Sequence, residues 1–202
     1  VEQFKPGDPS HYLHKNEWTR AKIQTETIKI RGEKDVSIQV FTTLHGPVIS
    51  GDPDSGAALS FKYTQTNGPN RSADCLLAML FAKSTLDLDR AMEQWIDPAN
   101  NFLFADTHGN IGYLTRGKLP IRSKANAWLP VPGWTGEHEW TGSVGFEEMP
   151  RTHNPSEGYI VTANQKPVDS NYPYYIGLDH SPEFRARRIT NRMSHLLSLI
   201  HI

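Results

Sequence analysis

The sequence predicts an α+β protein built mostly of antiparallel sheet with a few helices, and three observations carry that expectation. Apolar residues alternate on both sides of a Gly-containing turn: Ile28 and Ile30 precede Gly32-Glu33-Lys34-Asp35, and Val36, Ile38 and Val40 follow it. A helical period appears only between residues 73 and 96 and again near the C-terminal end. Strands and helices come in runs, without strict βαβ alternation, and no composition shift marks a boundary, so residues 1–196 read as a single domain.

Taken in order, Val1 to Pro9 is a polar lead-in with no visible element. Residues 21–43 read as a β-hairpin with one buried face. Asp52-Pro53-Asp54-Ser55-Gly56 is a turn, after which Leu59, Phe61 and Tyr63 alternate into another strand. Its Asp-x-Asp-x-Gly pattern begins like a calcium loop but lacks the later ligands, so turn chemistry accounts for it. Helical pieces are expected over about 73–83 and 86–95, the second opened by Ser84 with Asp87 and carrying Leu88, Ala91, Met92 and Trp95 on one face. Residues 101–114 alternate about Thr107-His108-Gly109-Asn110 as a second hairpin. Pro120 to Pro155 is an ordered loop or a set of short strands, because Trp128, Leu129, Val131, Trp134 and Trp140 are costly to leave in water. Gly158 to Ala163 is a β-branched run that ends on Asn164 and is stopped by Pro167, which reads as a strand delivering a carboxamide at its end. Ser181 as N-cap and Pro182 at the first helical position open the last helix, where Ala186, Ile189, Met193 and Leu196 share a face and Arg187 and Arg188 stand off it.

At 202 residues the chain can bury a sizeable core without a disulfide or metal staple. A net charge of −1 leaves no basic field for nucleic acid or an anionic membrane. No run is long enough to cross a bilayer, and the first residues lack the basic-then-apolar order of a signal peptide. Cys75, the only cysteine, lies in an apolar run and reads as a buried small hydrophobe.

Standard catalytic and metal signatures are missing: HExxH, paired CxxC, the Walker loop and GxGxxG do not occur. Gly142-Ser143-Val144-Gly145 fails as a nucleophile elbow because Thr141 occupies the first Gly position. His11 and His14 sit three apart with no third ligand in view and read as surface histidines, and Glu137-His138-Glu139 reads as a solvated turn. No metal ligand set is expected.

Five segments follow one another along the chain: Thr43-Leu44-His45-Gly46-Pro47-Val48-Ile49, the run Asn101 to Tyr113, Leu129-Pro130-Val131-Pro132-Gly133, the run Gly158 to Pro167, and Phe184-Arg185-Ala186-Arg187-Arg188-Ile189. In that order and with comparable gaps the chain resembles the β-subunit of the penicillin acylase family of N-terminal-nucleophile hydrolases, from about Tyr12 to about Met193. The resemblance implies a fragment of a four-layer αββα fold and an amide hydrolase made as a self-cutting precursor. There a newly exposed N-terminal Ser attacks the amide, its own α-amino group acts as base, and an oxyanion hole of a backbone N–H and an Asn side chain holds the developing charge.

By the same resemblance, Asn164 matches the oxyanion Asn, Arg188 the Arg that holds that Asn, and Asn100 a position lining the acyl pocket. The nucleophile falls upstream of Val1, so the chain alone should be inactive. No cofactor is required for the chemistry, and structural calcium in the parent would draw its ligands mostly from outside this chain. The implied partners are an acylated small-molecule amide and an α-subunit from the same precursor, with no nucleic acid and no membrane span, and the implied compartment is periplasmic or secreted. Residues 197–202 match one frame of a transposon sequencing adapter and are expected to be non-native read-through. The competing reading is a non-catalytic aromatic-rich β module in which Trp128, Trp134 and Trp140 form a platform for sugar or peptide.

Overall fold

The first residues, read from sequence as a lead-in without structure, are strands. In the computed structural model, which describes residues 1–199, β1 (Glu2–Lys5) and β2 (Asp8–His14) turn at Gly7, whose φ of 73° suits glycine. Their inward residues Phe4 and Tyr12 are 2% and 3% exposed and, with Ala21 and Ala58, form a core against which Phe41 and Val48 pack. Each of these short strands sends only one large apolar residue inward. No period is written into the sequence there, which is why it reads as polar.

β1 and β2 are joined by β3 (Glu17–Arg20), β4 (Lys22–Ile28), β5 (Val36–Thr43), β6 (Gly46–Asp52) and β7 (Ala57–Ser60) in a seven-stranded antiparallel sheet of order β3-β2-β1-β7-β6-β5-β4. The expected hairpin of residues 21–43 is the β4–β5 pair, in register from Lys22↔Thr42 to Ile28↔Val36. Its buried face is not found: Ile28, Val36 and Ile38 are all more than two-fifths exposed. The turn at 52–56 forms as expected, with Asp52 accepting from the Asp54 N–H and Gly56 in the left-handed region. Gly46 is required between β5 and β6, because its φ is 100° and a Cβ there would strike the Phe61 carbonyl.

The chain folds as two compact units, the first Val1–Gly68 with Arg122–Thr141 and the second Pro69–Ile121 with the chain from Gly142 onward. The division leaves no compositional trace, because the first unit is discontinuous in sequence. In the second unit α1 (Ser72–Leu80) and α2 (Thr85–Ala91) stand where two helical pieces are expected, each ending a few residues early. The Ser84 hydroxyl caps α2 by accepting from the Asp87 N–H, and the Arg116 guanidinium takes the carbonyls of Met92 and Glu93 just beyond its end. β8 (Asn100–Ala105) and β9 (Ile111–Arg116) are the second hairpin, and β10 (Pro120–Ile121) follows.

The segment returning to the first unit carries one helical turn, α3 (Ala125–Trp128). Trp128 and Leu129 are 69% and 74% exposed there, against expectation, whereas Val131, Trp134 and Trp140 are half-buried. The chain then re-enters the second unit through β11 (Gly142–Ser143), paired with β10, and β12 (Arg151–His153), which completes a three-stranded sheet of order β12-β9-β8. Met92 and Leu114, both 0% exposed, centre this unit's core with Val144 and Met149.

α4 (Phe184–Leu199) begins two residues later than the sequence implies. Ser181 is not its N-cap, because its hydroxyl accepts from Arg185 instead. Of the expected apolar stripe, Ala186 is buried but Ile189 and Leu196 are exposed. Residues 200–202, part of the expected read-through, lie outside the described residues. Every strand pairing among the described residues is antiparallel, and the class is α+β, as expected.

Candidate functional site

Residues 158–163 do not form a ladder strand; they are an irregular segment that delivers Asn164 in the left-handed region at φ 64°. Asn tolerates that conformation better than most L residues. The turn is braced from within by Gln165, whose Oε1 accepts from the Ala163 N–H at 2.6 Å and whose Nε2 donates to the Val161 carbonyl at 3.0 Å. From outside, the Ser181 N–H donates to the Asn164 carbonyl at 2.8 Å.

One guanidinium then fixes the carboxamide. Arg185 Nη2 donates to Asn164 Oδ1 at 2.9 Å, to the Ala163 carbonyl at 2.6 Å and to Ser181 Oγ at 3.1 Å. Because Oδ1 faces a donor that cannot accept, the Asn164 Nδ2 hydrogens must point the other way. Among the described residues Nδ2 has no partner, and Asn164 is exposed. The outcome is an oriented amide donor on a braced turn, the arrangement that can receive a developing oxyanion.

The arginine that reaches Asn164 is thus Arg185, in the first turn of α4, and not Arg188. Long side chains at a helix start lean back toward the N-terminus, which carries Arg185 over the 163–164 turn. Arg188, three residues on, is exposed and holds no hydrogen bond to Asn164, and Arg187 is engaged with Glu183 at 3.4 Å on the solvent side. Sequence matching chose among neighbouring arginines; periodicity held no signal for Arg185, whose partner lies outside the helix.

The hairpin β8–β9 lies beside this segment through side chains. Asn101 Nδ2 donates to Thr162 Oγ1 at 3.1 Å, while Asn101 Oδ1 accepts from Tyr113 Oη at 2.9 Å and Thr115 Oγ1 at 3.1 Å. Burial pushes the Tyr113 phenol above its ordinary value, so it stays a donor. Asn100 opens β8, exposed, with Nδ2 on the Pro98 carbonyl at 3.3 Å.

A second polar constellation occupies the first unit, and sequence reading missed it. Glu2 is 0% exposed, and its Oε1 accepts from Ser60 Oγ at 2.6 Å and Thr43 Oγ1 at 2.7 Å and faces His45 Nδ1 at 2.8 Å. Burial alone would raise this carboxyl, but those hydrogen bonds outweigh it and hold it down to about 2. His45 Nε2 meets Glu139 Oε1 at 2.7 Å, His14 Nε2 meets the same oxygen at 3.2 Å, and Lys62 Nζ lies 3.3 Å from Glu139 Oε2. His14 and Glu139, read from sequence as surface residues, therefore face one another. Burial works against a proton on His45, yet the two carboxylates raise its pKa above the ordinary value.

Of the tryptophans of the competing reading, Trp128 is exposed, Trp134 and Trp140 are half-buried, and the Trp140 ring lies 5.2 Å from Lys62 Nζ. No helix among the described residues is long and apolar enough to cross a membrane.

The penicillin amidase family matches residues 1–199. The chain is 41% identical over 178 residues to penicillin acylase 2 proenzyme of Pseudomonas sp. (strain SE83), covering 88% of this chain and 23% of that protein. Penicillin G acylase of Escherichia coli is 30% identical over 180 residues, covering 86% and 20%. Acyl-homoserine lactone acylase QuiP of Pseudomonas fluorescens is 28% identical over 196 residues, covering 94% and 24%. The solved structure of thermostable penicillin G acylase from Alcaligenes faecalis superposes with a TM-score of 0.74 at 31% identity, over 86% of this chain and 32% of that one. The chain spans about a quarter or less of the length of these curated relatives. With matched sequence over nearly its full length and a shared fold, the chain belongs to the penicillin amidase family.

Proposed function

We propose that this chain supplies the oxyanion-binding carboxamide of an N-terminal-nucleophile hydrolase that cleaves a linear amide between an acyl group and an amine. The observation that carries the reading is Asn164, whose Oδ1 is taken by Arg185 while its Nδ2 hydrogens are left for a ligand. In that role a seryl hydroxyl attacks the carbonyl carbon as its proton passes to the α-amino group of the same residue. The carbonyl oxygen, now anionic, accepts from Asn164 Nδ2. Collapse of the tetrahedral species expels the amine with that proton, and water cleaves the resulting acyl ester by the same steps.

The serine comes from polypeptide outside these 202 residues, so the chain alone has no turnover. Arg185 takes the positioning part that sequence matching gave to Arg188, and Asn100 borders the acyl side. The relatives' names support a small acylated substrate of the penicillin or acyl-homoserine lactone kind, and one of them is a proenzyme, which agrees with an α-subunit cut from the same precursor. The parent is periplasmic or secreted and requires no cofactor for chemistry, and any structural calcium is held mostly by residues elsewhere in it.

The test is a chromogenic phenylacetyl amide offered to the purified chain and to the assembled, processed enzyme. The chain alone should match the buffer blank and the enzyme should turn over. Turnover by the chain alone that is lost in Asn164→Ala, or full activity of the assembled Asn164→Ala enzyme, would sink the reading.

A further inference from the structure

We propose that His14 Nε2, His45 Nε2 and Glu139 Oε1 form a three-ligand site for a divalent d-block cation of the zinc class. One ligand atom from each of these residues lies within 4.8 Å of the others, and both Nε2 atoms converge on the same carboxylate oxygen, at 3.2 and 2.7 Å. Ligand atoms around a tetrahedral zinc stand about 3.4 Å apart for bonds of about 2.1 Å. The two nitrogen–oxygen separations therefore lie within about 0.7 Å of the spacing the metal asks for. Two nitrogens and one oxygen are a donor set that zinc, cobalt and nickel accept, with a fourth position left for water.

Groups behind the ligands are arranged as metal sites require. His45 Nδ1 faces the buried Glu2 carboxylate at 2.8 Å, and a proton held there leaves the Nε2 lone pair free to bind. Glu2 is in turn fixed by Thr43 and Ser60, while its Oε2 is buried without a hydrogen-bond partner. Gly133 closes over this pair: a Cβ there would come within 2.6 Å of Glu2 Oε2 and 2.9 Å of His45 Nδ1. Lys62 Nζ holds the other oxygen of Glu139, so Oε1 alone is presented to the histidines.

Charge points the same way. Glu2 and Glu139 place two carboxylates against the single ammonium of Lys62, so the cluster is one positive charge short of balance. Either a proton on a histidine or a metal cation supplies it. His45 and Glu139 also line a cavity of about 340 Å³, which gives a cation a way in. Ligands from positions 14, 45 and 139 have no sequence spacing to announce them. His11, near His14, is turned to Asp8 at 2.8 Å and takes no part.

The experiment titrates the purified 202-residue chain, stripped with chelator, with Co²⁺ and follows visible d–d absorption, then displaces cobalt with Zn²⁺. The expected result is an intense low-symmetry cobalt spectrum at one equivalent, lost on zinc addition. Glu139→Gln should abolish it, Glu2→Gln should weaken binding by about 10-fold to 100-fold, and His11→Ala should leave it unchanged. Circular dichroism checks each variant's fold. If Glu139→Gln does not fold, His14→Gln replaces it, since His14 holds only one hydrogen bond in the cluster. A spectrum that stays octahedral and weak, or equal binding by wild type and His14→Gln, overturns the site and leaves a proton as the bridging charge. This inference stands apart from the acylase reading, because neither outcome bears on Asn164.

Discussion

Arg185 Nη2 lies 2.9 Å from Asn164 Oδ1, and that single hydrogen bond decides which face of the carboxamide is offered outward. Without it the amide could turn and present its oxygen, which would repel an oxyanion. In the processed enzyme Arg185→Ala should therefore lower kcat by about 10-fold to 100-fold with little change in KM, since the donor is misaimed in the transition state. Arg188→Ala and Arg187→Ala should be nearly silent. Steady-state kinetics on all three separates them, and a loss at Arg188 equal to that at Arg185 would refute the assignment.

Asn164→Asp is the sharper variant at the reacting atom. Aspartate has almost the shape of asparagine and tolerates the same left-handed backbone, so the turn should survive. Its carboxylate cannot donate, and it adds charge beside the developing anion. We expect kcat to fall by about 100-fold to 1,000-fold, with unchanged thermal melting. An active Asn164→Asp enzyme would mean that the side chain does not touch the oxyanion.

Asp106 should show its worth in acid. Its carboxylate accepts from the Asn110 side chain and from the Asn110, His108 and Thr85 N–H groups, and chiefly the Asn110 amide holds it well below the ordinary 3.8, at about 2. A carboxyl depressed in the folded state stabilises above its unfolded pKa and loses that contribution as pH falls through the folded one. The melting difference between wild type and Asp106→Ala should be full above about pH 4 and vanish toward pH 2. A difference that does not change over this interval would contradict the assignment.

Leu114 is 0% exposed at the centre of β9, packed with Met92 and Met149. Leu114→Ala should cost about 2–5 kcal/mol by urea unfolding of the chain. A cost below about 1 kcal/mol would mean that the surrounding side chains collapse into the space.

Both hairpins and the capped turn at 52–56 were legible in the sequence, because alternation and turn residues act over short distances. β1 and β2 were not, since Phe4 and Tyr12 are single inward residues in strands too short to show a period. Arg185 was passed over for Arg188, because which arginine of a helix reaches a turn is set by where the helix starts, and the start lies two residues past the predicted position. Glu139 read as solvated for a related reason: its partners His14, His45 and Lys62 are far away in the chain.

The split of the first unit into Val1–Gly68 and Arg122–Thr141 has a consequence during synthesis. A ribosome extending the chain at about 5–20 residues per second delivers the second piece several seconds after the first. Throughout that interval Glu2 and His45 are already made and Glu139 is not, while the residues between are themselves emerging. The order of birth thus leaves Glu2 with its partners Thr43, Ser60 and His45 from the early piece, while His45 Nε2, His14 and Lys62 lack their carboxylate until the late segment arrives. A chain ended after Ile121 should trap that state, detectable as a first unit more open to proteolysis than in the full chain.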